Sequence, residues 1–113
     1  MPGVDGRPAL PGGLEPLSWD RGDSPTPDGV ARRLRDEGVE PYAWSNAAGD
    51  RYAAHAHPYT KLLMCAAGSI TFFVGEAEEP VALAPGDGFV LPRGVRHSAL
   101  VGSAGCTCLE GHR

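Results

Sequence analysis

The chain has little of what commits a protein to a membrane, to nucleic acid or to a disulfide framework. No apolar run comes near the roughly 20 residues a helix needs to cross a bilayer. Basic residues are in deficit, ten Lys and Arg against 14 Asp and Glu, for a net charge of −4. That balance leaves no electrostatic footprint for a nucleic acid or an anionic lipid surface. Cysteine is scarce: Cys65, Cys106 and Cys108 make an odd count without framework spacing. Cys106-Thr-Cys108 is not the CxxC of a zinc knuckle or a redox pair. The opening residues, MPGVDGRPALPGG, hold no apolar run of the kind a signal peptide requires. Together these features predict a soluble, cytoplasmic protein with reduced thiols.

What the chain has in plenty is turn formers, 16 glycines and 11 prolines among 113 residues. The length suits one domain with one core. More than half of the prolines fall within residues 1–27, which predicts an extended or partly disordered arm before a folded domain over 28–113. Leu14, Leu17 and Trp19 are candidate anchors for that arm, which is expected to add little to the core. Asp28, before VARRLRDE and Gly38, predicts one short helix with an Asp N-cap and a glycine stop. Its arginines come early and its acids late, against the helix dipole.

Past Val39 no helical period persists. Short apolar runs follow instead: PYAWS, RYAAHAH, KLLMCAA, SITFFV, VALA, GFVL, HSALV and CTCLE. Turn residues separate them, among them AAGD, Gly68-Ser69, GEAEEP, PGDG, PRG and GSAG. Short strands at this spacing predict an all-β antiparallel sandwich or barrel.

Two blocks within those runs carry the chemistry. Gly49, His55, His57, Lys61 and Gly68 are separated by five, one, three and six residues. Gly86, Pro92, Gly94 and His97 are separated by five, one and two. This resembles the two motifs of the cupin superfamily, G-x5-H-x-H-x3,4-E-x6-G and G-x5-P-x-G-x2-H-x3-N. The resemblance covers roughly residues 40–110 and departs at two positions. Lys61 stands where the motif has glutamate, and Val101 where it has asparagine. It implies an antiparallel double-sheet jelly-roll barrel, a metal held inside by histidines, and a homodimer as the usual assembly.

The residues support the same picture independently. Positions i and i+2 of a strand share a face, so His55 and His57 point into one cavity, and His97 joins them from another strand. Three imidazoles leave open metal positions for substrate. The divalent ion is Fe, Mn, Ni or Zn, and the sequence does not choose among them. His112 reads as a surface residue. Tyr52 and Tyr59 flank the histidines, and strand parity puts one of them outside. The cysteines read as small core fillers that are also candidate soft ligands.

A charged Lys61 offers no lone pair and cannot be the fourth ligand. Three roles are open to it: an ion pair with Glu110 across the barrel, a desolvated base or nucleophile in catalysis, or a holder of an anionic substrate. Two functions follow, from different classes. One is a metal-dependent enzyme acting on a small organic molecule by oxygenase- or isomerase-like chemistry. The other is a non-catalytic module that binds or senses a small molecule.

Overall fold

The computed structural model describes residues 10–113. After a 3-10 turn at Pro11–Gly13 come β1 (Glu15–Leu17), α1 (Pro27–Asp36), β2 (Tyr42–Asn46) and β3 (Arg51–His55). Then follow β4 (Lys61–Val74), β5 (Glu79–Leu83), β6 (Gly88–Leu91) and β7 (His97–His112). All strand pairings are antiparallel, in the order β1-β6-β4-β7-β2, with β3 on β7 and β5 on β4. This is the jelly-roll arrangement expected of a cupin. No helix among the described residues is long and apolar enough to cross a membrane.

Two pairs of expected strands prove to be single long ones. KLLMCAA and SITFFV join as β4, and HSALV and CTCLE join as β7. The glycines expected to end them bend them instead. Pairing between β4 and β7 shifts register between Cys65 and Ala67 and between Gly68 and Ile70. Gly68 and Gly105 both take positive φ, 70° and 74°. A Cβ on Gly68 would lie 2.0 Å from the Gly105 carbonyl oxygen, so the backbones cross too closely for any side chain. One half of β4 pairs with β6 and the other with β5, while β7 hands over from β3 to β2. The two layers are thus continuous through both long strands.

The bulges also switch which residues face inward. The interior takes Leu63 and Cys65 from the first half of β4, then Ile70, Phe72 and Val74 from the second. On β7 it takes Ala99 and Val101, then Cys106 and Cys108. The opposite face of early β4 (Leu62, Met64, Ala66) packs under Val30 and Leu34 of α1. That is why KLLMCA is apolar on both faces rather than alternating.

The helix is capped two residues earlier than the sequence suggested. Thr26, not Asp28, is the N-cap, and its hydroxyl accepts from the Gly29 N–H at 3.0 Å. Starting at Pro27 puts Asp28 in the first turn and Arg33 and Arg35 in the last, so those charges suit the dipole. The expectation of an arm that adds little to the core is corrected where the chain is described. Leu14 packs in the barrel core, Leu17 lies under the helix, and β1 pairs with β6. The earlier part of the expected arm lies outside the described residues.

Candidate metal site

His55 ends β3, and its register partner is His97, the first residue of β7. A shift in the β3–β7 pairing between Tyr52 and His55 lets both of those side chains line the same cavity. Tyr59 lines it too, so the parity argument that placed one tyrosine outside fails at this bulge. His57 lies just past the strand. Its carbonyl accepts from the Gly94 N–H at 2.8 Å, so the PRG turn of the second block holds the histidine of the first.

The three imidazoles converge. One nitrogen from each of His55, His57 and His97 lies within 4.8 Å of the others, a grouping that can hold a metal ion. Nδ1 of His55 faces the Ala53 carbonyl at 2.7 Å, and Nδ1 of His97 faces the Val95 carbonyl at 3.0 Å. A carbonyl only accepts, so both Nδ1 atoms carry the proton and both Nε2 atoms keep their lone pair. Nε2 of His57 and of His97 are buried without any hydrogen-bond partner. Buried ring nitrogens left unpaired are costly, and a bound cation satisfies the lone pair of His97 Nε2 and, in the same tautomer, that of His57 Nε2. Burial, reinforced by Lys61 and the neighbouring rings, pushes His97 down to about 4 and also lowers His57. Both therefore stay neutral near pH 7, the form a metal requires.

The cavity above them has a volume of about 300 Å³ and is walled by Tyr42, Trp44, Tyr52, Tyr59, Phe72 and Ala99, with Lys61 and Glu110 at one side. Lys61 is 7% exposed and Glu110 4%, and their Nζ and Oε1 stand 3.5 Å apart. The ion pair expected with Glu110 is present, but it joins the neighbouring strands β4 and β7 rather than reaching across the barrel. Glu110 is well supplied besides. Tyr42 donates to it at 2.9 Å, Trp44 at 2.8 Å and His112 Nε2 at 2.6 Å. Burial alone would raise its carboxyl, but His112, Lys61, Tyr42 and Trp44 outweigh that and hold it below the usual range.

His112 is therefore not the plain surface residue the sequence suggested. It bonds Glu110 and stacks on Tyr59, with ring centroids 3.9 Å apart, and Tyr59 in turn stacks on His57 at 4.8 Å. The roles of Tyr42, Trp44 and His112 were missed because they depend on pairing between β2 and the end of β7, far apart in sequence. Their only sequence signal is alternation, Tyr42 with Trp44 and Glu110 with His112. The cysteines are buried in the core and lie outside the histidine group.

This architecture and cluster define a small cupin-type barrel with a three-histidine centre. The sequence matches the cupin domain family over residues 43–109, more than half of the chain, and the protein belongs to that family. Comparison with curated proteins gives no match. Among solved structures, an RmlC-like cupin from Shewanella frigidimarina NCIMB 400 is similar with a TM-score of 0.58 and 20% identity, over 66% of this chain and 64% of that one. DMSP lyase DddQ from Ruegeria pomeroyi DSS-3 gives 0.60 and 28%, over 66% and 38%. YcfD, a ribosomal oxygenase from Escherichia coli, gives 0.63 and 20%, over 75% and 27%. The aligned part thus spans just under two thirds of the first of these proteins and much less of the other two.

Proposed function

We propose that this cupin binds one divalent metal through His55, His57 and His97 and acts on a small organic molecule held in the cavity above it. The observation that carries the reading is the pair of buried, unpartnered Nε2 atoms on His57 and His97, with the rings of His55 and His97 fixed by backbone carbonyls. Neutral nitrogen donors of this kind suit Fe, Mn, Ni or Zn.

When bound, the metal supplies Lewis-acid polarisation of a substrate oxygen, or redox chemistry if it is iron or manganese. The chain does the rest. The aromatic wall orients the substrate carbon skeleton, and the Tyr59 hydroxyl is available to it for a hydrogen bond, whereas Tyr52 donates its own to Asn46 Oδ1. Oxygenase- or isomerase-like chemistry fits such a centre. The relatives whose names state an activity, a lyase and an oxygenase, show that this fold hosts more than one reaction.

Among the described residues β1 and β2 stand at the ends of the strand order with one neighbour each, and a homodimer covering one of those edges completes the proposal. Metal analysis of protein purified without a histidine tag tests the central point. About one equivalent of metal, lost in His57→Ala with the fold retained, supports it. No uptake of Fe(II), Mn(II), Ni(II) or Zn(II) by the wild-type protein overturns it, and leaves a metal-free binding module.

A further inference from the structure

We propose that Lys61 is the anion-binding residue of the cavity, and that the ligand is a small monocarboxylate with a short carbon skeleton, held by Lys61 beside the three-histidine centre. The inference rests on the metal reading for the ligand's second contact and on this chain's own charges for the first.

The argument begins with donors and acceptors. An ammonium group has three N–H donors. Lys61 is nearly buried, yet its one charged partner among the described residues is Glu110 at 3.5 Å, a distance of attraction rather than of a hydrogen bond. Glu110 does not depend on the lysine, because Tyr42, Trp44 and His112 already donate to it at 2.9, 2.8 and 2.6 Å. Lys61 therefore faces the cavity with donors to spare, and Glu110 sits beside it with its lone pairs engaged.

Charge gives the same answer. Three neutral imidazoles bring no negative charge to a divalent ion, and Lys61 with Glu110 cancels. A family glutamate at position 61 would have compensated part of the metal's charge, whereas this site leaves it whole. The missing negative charge must come with the ligand. An oxyanion that touches both Lys61 and an open metal position satisfies the lysine donors and the charge together.

The rest of the cavity sets the class. Phe72, Ala99 and the faces of Trp44 and Tyr52 form walls suited to carbon, within about 300 Å³. A bare phosphate would leave those walls wet, and Lys61 is the only lysine or arginine lining the cavity among the described residues. One carboxylate on a short skeleton uses both features.

Isothermal titration with propionate, propionamide and inorganic phosphate, on metal-free and Zn(II)-loaded protein, tests this. Propionate is expected to bind at least tenfold tighter than propionamide or phosphate. Lys61→Met is expected to weaken propionate at least tenfold while Zn(II) affinity stays within about twofold, and Lys61→Arg to recover part of the loss. Equal binding of propionate and propionamide, tighter binding of phosphate, or an unchanged propionate affinity in Lys61→Met overturns the proposal. Failure of Zn(II) to bind the wild-type protein sinks the metal reading alone. Lys61-dependent propionate shifts in the NMR spectrum of metal-free protein then still decide this one, and their absence overturns it.

Discussion

Lys61 and Glu110 face each other from neighbouring strands with Nζ and Oε1 3.5 Å apart, in a register that pairs Leu63 with Glu110 and Lys61 with His112. The carboxylate that the cupin motif places at position 61 is thus replaced by a cation, and a carboxylate stands one strand away. Glu110 is not within the histidine group, so the exchange moves negative charge from the centre to the cavity wall.

Glu110→Gln is expected to lower stability by about 3 kcal/mol, because it leaves a buried ammonium without its counter-charge. It should also change the acid limb. The folded-state carboxyl is held below its ordinary value of 4.5, so its contribution is present above that value and fades as the pH falls through the lower folded one. Melting temperatures between about pH 6 and pH 3 check both points. The wild-type curve should fall more steeply below about pH 4.5 than that of Glu110→Gln, and parallel curves would refute the assignment.

The orientation of His57 is expected to depend on stacking rather than on a hydrogen bond. Backbone carbonyls fix the rings of His55 and His97, whereas His57 rests on Tyr59, which His112 backs from the other side. Tyr59→Phe keeps the stack and should hold metal affinity within about twofold. Tyr59→Ala and His112→Ala should weaken it roughly tenfold, the usual lower range for a lost outer-shell partner. Competition with a chromophoric chelator measures this, and equal affinities for Tyr59→Phe and Tyr59→Ala would rule it out.

The fold and the three histidines were legible because their signals are local. Turn glycines, alternating runs and fixed spacings all lie within a few residues of one another. What was not legible is long-range. Nothing near Gly68 says that it bends a strand rather than ends one, since the cause is Gly105 pressing on it from β7. Nothing near His112 says that it touches Tyr59. Tyr52 broke the parity rule for the same reason, a bulge set by the partner strand.

Gly68→Ala follows from that bend. The new Cβ would sit 2.0 Å from the Gly105 oxygen at a φ of 70°, so backbone must move on both long strands. A loss above about 3 kcal/mol or failure to fold is expected, since overpacking and positive-φ strain add. Gly94→Ala, with open space around its Cβ and a φ of 79°, carries the φ strain alone and should cost clearly less. Urea unfolding of the pair separates the two contributions.

Leu14→Ala and Leu17→Ala are expected to cost about 2–4 kcal/mol each, as buried leucines do. They fill separate clusters, Leu14 in the barrel and Leu17 beneath α1. Their costs should therefore add in the double variant to within about 0.5 kcal/mol. Chemical denaturation of the three variants tests this, and changes below about 1 kcal/mol would return the segment to the role of a loose arm.

Lys61→Glu carries the opposite expectation for the protein with and without metal. It restores the motif carboxylate at a position that faces the cavity beside the histidines. Without metal, the introduced carboxylate and Glu110 would lie as like charges in a poorly hydrated wall, Glu110 having lost its cation. Repulsion and desolvation then both disfavour the ionised pair, and the metal-free variant should melt below the wild type at neutral pH. With metal, the same carboxylate supplies a negatively charged oxygen donor to an otherwise neutral ligand set. Affinity for Zn(II) should rise by at least tenfold, and the binding energy should offset much of the lost stability. The order of melting temperatures should therefore narrow or invert when metal is added in excess. A metal-free variant as stable as the wild type would contradict the ion-pair assignment for Lys61. Unchanged Zn(II) affinity would show instead that position 61 does not reach the metal, and would separate the lysine from the three-histidine centre.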